Sequence, residues 1–150
     1  MVNVVSKLHA RGSNSALFGD LTPYDSWAAY GTSKLALVHD AAEIERRYGE
    51  SGLHGYSLHP GSVHTRIADR GLETAPVLGR LRKLLGPLER RALLTPAQGA
   101  RTTVFCAISG DAVPGGYHRD GRPAEPSPHA GDADVARRLW DETSRWVEQQ

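Results

Sequence analysis

Ala29-Tyr30-Gly31-Thr32-Ser33-Lys34-Leu35-Ala36 lies near the start of the longest helical pattern in the chain, and its flanks decide the fold. Ser26 is a candidate N-cap. Ala28, Ala29, Leu35, Ala36, Leu37, Val38, Ala41, Ala42 and Ile44 follow, covering more than one helical stripe, so burial on two sides is expected. Glu43, Glu45, Arg46 and Arg47 mark the wet end, and Gly49 and Gly52 stop it. Upstream, Val2, Val4 and Val5 form a β-branched run that reads as a strand ending at Ser6. A Gly/Ser/Asn-rich loop, Arg11-Gly12-Ser13-Asn14-Ser15 and Phe18-Gly19-Asp20-Leu21, separates that strand from the helix. Downstream, Leu53-His54-Gly55-Tyr56-Ser57-Leu58 is compatible with a second strand. It ends at His59-Pro60-Gly61, where proline removes a donor and glycine permits unusual dihedrals.

Farther out, Thr95-Pro96-Ala97-Gln98 combines a cap, a proline at the first helical position and a capping box. It predicts a helix with Ala97, Ala100, Val104, Ala107 and Ile108 as its apolar face and Gly110 at its end. Residues 113–131 are rich in Pro and Gly, with a short strand expected near Tyr117. Asp132 or Asp134 opens a last helix, with Val135, Leu139, Thr143, Trp146 and Val147 on one face. Leu78, Leu81, Leu84, Leu85 and Leu88 hint at another short helix, broken by Gly86-Pro87 and surrounded by Arg80, Arg82, Lys83, Arg90 and Arg91. Strand, helix, strand, helix, strand, helix is the α/β pattern of parallel strands with helical crossovers, within one domain spanning residues 1–150.

Composition removes several classes of function. The chain has 150 residues, of which 39% are hydrophobic, and a formal net charge of +1, so no strong field attracts nucleic acid or an anionic membrane. Leu, Ile, Val and Phe together number only 31, a thin core for this length. The single cysteine, Cys106, cannot form an internal disulfide. His54, His59 and His64 are spaced by five, which suits neither one helix face nor a compact ligand pair, so no metal site is expected. No Gly-x-Ser-x-Gly elbow supports a hydrolase. No apolar run is long enough to span a bilayer and no signal-peptide pattern opens the chain, so a cytoplasmic location is expected.

Tyr30 and Lys34 are four apart and share a helical face, so phenol and ammonium can point into one cleft. A fixed cation beside a phenol favours the phenolate, which suits the group to give or take a proton during carbonyl–alcohol interconversion. Ser6, at the end of the first strand, is placed to hydrogen-bond the reacting oxygen. The spacing alone is common; the combination of strand, helix and strand around it is rare.

The combination resembles the short-chain dehydrogenase/reductase family, most closely its retinol-dehydrogenase and WW-domain-oxidoreductase-like branch. The likeness is carried by Asn3-Val4-Val5-Ser6-Lys7-Leu8-His9, Phe18-Gly19-Asp20-Leu21, Ala29 to Ala36, and Leu58-His59-Pro60-Gly61-Ser62-Val63-His64-Thr65. Leu94 to Ala100, Gly115-Gly116-Tyr117 and Ala136-Arg137-Arg138-Leu139-Trp140 continue it. The resemblance implies that Tyr30 is the general acid/base, that Lys34 tunes it and binds the nicotinamide ribose, and that Ser6 orients the substrate oxygen. It implies that Pro60, Gly61, Val63 and Thr65 hold the nicotinamide end of the cofactor. It also implies NADP(H) ahead of NAD(H), a small alcohol or carbonyl substrate, a substrate lid over residues 66–93, and a homo-oligomer contact on the helix after Tyr30.

The departures from the family are equally specific. Nothing like the family's Gly-x-x-x-Gly-x-Gly turn, which seats the pyrophosphate at a helix N-terminus, occurs here. The Asn-Asn-Ala-Gly segment and the catalytic Asn are also missing, and Val5 stands where the branch usually has another Ser. The chain begins where the family's fifth strand would be. The expected fold is therefore the C-terminal half of a doubly wound, Rossmann-type parallel sheet, with an open edge on the strand of Ser6. Two functions follow: an oxidoreductase of this type, inactive as an isolated chain, or a catalytically dead remnant that serves as an interaction module.

Overall fold

The computed structural model describes residues 1–19, 23–62 and 93–150. Four short strands form one sheet in the order β1-β2-β3-β4, where β1 is Val2–Val4, β2 is Tyr56–His59, β3 is Tyr117–Arg119 and β4 is Arg122–Ala124. The first three run parallel: Val4 stands opposite Leu58, and Leu58 opposite His118. Among the described residues β1 pairs only with β2, so its other edge is open. Helix α1, Ser26–Tyr48, links β1 to β2; α2, Pro96–Ile108, precedes β3; α3, Ala133–Glu148, follows β4. This is the expected α/β order.

Two elements differ from the pattern reading. Helix α1 is capped one residue earlier, by Asp25, whose carboxylate accepts from the Ala28 amide at 2.6 Å. The strand near Tyr117 does not stand alone. It turns back antiparallel through Asp120-Gly121, both at positive φ (55° and 70°), the backbone of a two-residue hairpin. Pro123 is tolerated in β4 because that strand is at the end of the sheet.

Val5, Leu35, Val38, Tyr117 and Ala130 form the centre of the core, with Leu17, Leu37 and Ala124 packed against it. Helix α1 meets the sheet on one side and α3 and the 3-10 turn Lys7–Arg11 on others, the two-sided burial its composition implies. Polar groups fix its position. The Asn3 side-chain amide donates to the Leu37 carbonyl at 3.0 Å and to Asp40 at 2.7 Å, tying β1 to the helix. The Glu43 side chain is 1% exposed and accepts from both Arg46 and Arg47, which hold its carboxyl below the usual range. Arg47 continues to Asp141 at 2.6 Å and lies over the Trp140 ring, joining α1 to α3.

Helix α2 overturns one expectation. Its capping box forms as read, with Thr95 accepting from the Gln98 amide and Gln98 from the Thr95 amide. The face it buries is Gly99, Thr102 and Cys106, whereas Ala97, Ala100, Val104, Ala107 and Ile108 are all exposed, Ile108 at 81%. The sheet takes the narrow face of small residues, and the Thr102 hydroxyl accepts from the Gly121 amide in the hairpin turn. Burial pushes the Cys106 thiol up to about 11, so it stays protonated and inert.

His39 is fully buried in α1, with Nε2 3.1 Å from the Asn14 amide oxygen. Burial lowers its pKa from the usual histidine value of 6.5, ahead of the opposing pull of Asp132. The unfolded chain therefore takes up a proton here that the folded chain refuses. Stability from this group is complete above pH 6.5 and declines as the pH falls below it. His39→Gln is expected to flatten the acid side of a pH–melting profile; an unchanged profile would contradict this.

Candidate active site

The C-terminal ends of β1 and β2 bring the chemistry-bearing residues together. Ser6 follows β1 and caps the Lys7–Arg11 turn, its hydroxyl accepting from the Leu8 amide at 3.2 Å. Its carbonyl accepts twice from His9, from the backbone N–H at 3.0 Å and from ring Nδ1 at 2.7 Å. The first turns of α1 lie directly on this Ser6 turn. A Cβ built on Gly31 would stand 2.6 Å from the Leu8 carbonyl oxygen, and one built on Gly12 would stand 2.8 Å from the Gly31 carbonyl oxygen. The contact is backbone against backbone and needs two glycines.

On that helix Tyr30 is 43% exposed and Lys34 half-buried. The Lys34 ammonium lies 5.7 Å from the centre of the Tyr30 ring and donates to the Val4 carbonyl at 3.4 Å. Val5 donates to Leu58, so odd residues of β1 face β2 and the Val4 carbonyl points to the open edge. Lys34 thus bridges helix and strand two residues before Ser6, and among the described residues this bond uses one of its three ammonium hydrogens.

Pro60 and Gly61 leave the end of the neighbouring strand β2, with Gly61 at φ 86°. The Ser62 carbonyl accepts from the Leu94 amide at 2.9 Å, closing the loop base. Val63 and Thr65 lie outside the described residues, as do the short helix and all but the last residue of the lid expected at 66–93. His59 is buried at the same end of the sheet, its pKa lowered first by burial and then by the Lys7 charge. Tyr117 is the buried phenol of the site region, and burial raises its pKa, which unfits it for proton transfer near neutral pH. Among the described residues no group of three or more His, Cys, Asp or Glu is placed to hold a metal, and no helix is long and apolar enough to cross a membrane.

Sequence reasoning named Ser6, Tyr30, Lys34 and the Pro60-Gly61 turn as candidates, and the structure places them at the ends of β1 and β2 and on the first turns of α1. It passed over Gly12, Gly31 and the support of Ser6 by His9. Only the glycine between Tyr30 and Thr32 left a local trace, as a poor helix former inside a helical pattern.

These candidate residues gather where the parallel strands β1 and β2 end. Mouse retinol dehydrogenase 13 is 34% identical over 98% of this chain and 45% of its own length. The short-chain dehydrogenase/reductase prx1 of Penicillium roqueforti is 33% identical over 94% of this chain and 44% of its own. Human dehydrogenase/reductase SDR family member 13 is 34% identical over 97% and 38%. The chain belongs to the short-chain dehydrogenase/reductase family. Its relatives include retinol dehydrogenases, and it spans less than half the length of those it matches here. No family model matches it. For this short-chain dehydrogenase/reductase chain, the α/β architecture with parallel β1, β2 and β3 is that of a partial Rossmann fold.

Proposed function

We propose that this chain carries the catalytic half of an NAD(P)-dependent oxidoreductase that interconverts an alcohol and a carbonyl, with NADP(H) the favoured cofactor. The observation that carries this reading is the seating of the Tyr30–Lys34 helix on the turn capped by Ser6, with Lys34 donating into β1 beside it. Tyr30 is exposed enough to reach a substrate, and Ser6 sits at the strand end from which its hydroxyl can meet the reacting oxygen.

In the oxidising direction the Tyr30 phenol oxygen takes the proton of the substrate hydroxyl; in the reducing direction it returns that proton to the carbonyl oxygen. Ser6 orients that oxygen by hydrogen bonding. Lys34 steadies the charge on the phenol oxygen and holds the nicotinamide ribose, and Pro60, Gly61, Val63 and Thr65 hold the nicotinamide end. The cofactor, when bound, supplies or accepts the hydride at the carbon that bears the reacting oxygen.

The residues present fit only that end of the cofactor. Among the described residues Lys34 spends one of its three ammonium hydrogens, and the Gly61 turn opens beside the strand ends, but the sequence has no glycine-rich pyrophosphate turn. We therefore expect no turnover from the isolated chain and no heat on titrating NADP(H) into it. An extended chain, with the first half of mouse retinol dehydrogenase 13 ahead of Met1, is expected to bind the cofactor. Micromolar binding by the 150-residue chain alone would overturn this division of labour. Pairing of two copies through α1 belongs to the same reading and rests on family resemblance.

A further inference from the structure

We propose that His9 is a positioning residue, holding Ser6 in register with Tyr30 by pinning the Ser6 carbonyl to the distant segment around Ser127. The proposal rests on the catalytic reading above for what Ser6 does, but its geometry stands without it. The His9 ring is 4% exposed and packs against Tyr117, ring centres 5.0 Å apart. Both ring nitrogens are engaged. The Ser127 backbone N–H donates to Nε2 at 2.9 Å, so that nitrogen carries a lone pair. Nδ1 therefore carries the ring hydrogen and donates it to the Ser6 carbonyl at 2.7 Å.

One side chain thus receives from a segment 118 residues away and gives to Ser6, the cap of the turn that follows β1. The turn alone offers Ser6 only local bonds, from Leu8 to its hydroxyl and from the His9 backbone to its carbonyl. A second bond reaches the same segment from the loop beyond the turn, where Asn14 donates to the His129 carbonyl at 3.0 Å, but it does not touch Ser6. Among side chains, histidine places a donor and an acceptor on opposite edges of one rigid ring, which this relay requires. Phenylalanine keeps the ring against Tyr117 and loses both bonds. Asparagine keeps a short amide able to donate to Ser6.

Two measurements test the proposal. Long-range proton–nitrogen spectra of the 150-residue chain are expected to show His9 with hydrogen on Nδ1 and a bare Nε2. The opposite tautomer would overturn the relay whatever the chain catalyses. In the extended enzyme, His9→Phe is expected to lower kcat by about 10–100-fold with cofactor KM unchanged, the scale of a misplaced reacting group. His9→Asn is expected to recover most of that loss. In a Ser6→Ala background His9→Phe is expected to cost nothing more, because the residue it positions is gone. A His9→Phe loss that persists in full beside Ser6→Ala would show a general packing role and overturn the proposal. Unchanged turnover in Ser6→Ala alone would sink the catalytic reading of Ser6, and with it the purpose of the tether, while the tautomer would still report the tether itself. Should His9→Phe fail to fold, His9→Asn and the tautomer of the unsubstituted chain decide the matter.

Discussion

Replacing Tyr30 by Phe in the extended enzyme is expected to lower turnover by about 10²–10⁴-fold, the range that a positioned acid/base supplies. Cofactor binding should be unaffected. The substitution removes one oxygen from a side chain that is 43% exposed and leaves the ring face that Lys34 approaches. Folding has little stake in that oxygen, since the described contacts of Tyr30 are made by its ring and by its backbone carbonyl, which accepts from Ser33. Loss of turnover with an unaltered melt and unaltered cofactor titration therefore isolates proton transfer. Unchanged turnover would remove Tyr30 from the chemistry and leave the Lys34 contact with β1 as a structural device.

Gly31→Ala should produce the largest combined effect on stability and activity of any single-methyl change in the site. The new carbon would meet the Leu8 carbonyl oxygen at 2.6 Å, the Gly12 nitrogen at 2.9 Å and the Arg11 carbonyl carbon at 3.1 Å, all of them backbone. None can swing aside as a side-chain tip can. The helix must lift from the Ser6 turn, at a cost of about 1–3 kcal/mol for overpacking. The same lift separates Tyr30 and Lys34 from Ser6, so turnover in the extended enzyme should fall along with the melting temperature. Gly110→Ala is the control, because nothing lies within 4 Å of its Cβ position and its φ is not in the left-handed region. If Gly31→Ala and Gly110→Ala melt alike, helix and turn are not in the contact described.

Much of this arrangement was legible before any coordinates, and the reasons are local. The Thr95 and Gln98 capping box needs only residues three apart, and it formed as read. Val2 to Val4, the long α1 and the Gly61 turn carry their own periodicity or backbone signal. The Asp120-Gly121 hairpin was also written locally, as an Asp-Gly dipeptide, but the surrounding Pro/Gly-rich stretch obscured it. Other features depend on which surface meets which. The stripe from Ala97 to Ile108 has the spacing of a buried face, yet the sheet accepted the smaller face of Gly99, Thr102 and Cys106. Hydropathy predicts that a helix will hide something; it does not tell which neighbour will come close enough to require glycine. The Gly12–Gly31 contact and the Ser127–His9 bond are of that kind, created by chain segments that meet only after folding.

The lone thiol of Cys106 has a practical consequence. Packed beneath α2 and held protonated, it is closed to alkylating reagents while the helix stays docked. Because no second cysteine competes, the rate of its modification is a clock for how often that helix lifts from the sheet. The chain therefore carries its own single-site recorder of opening, readable by mass and requiring no engineered label.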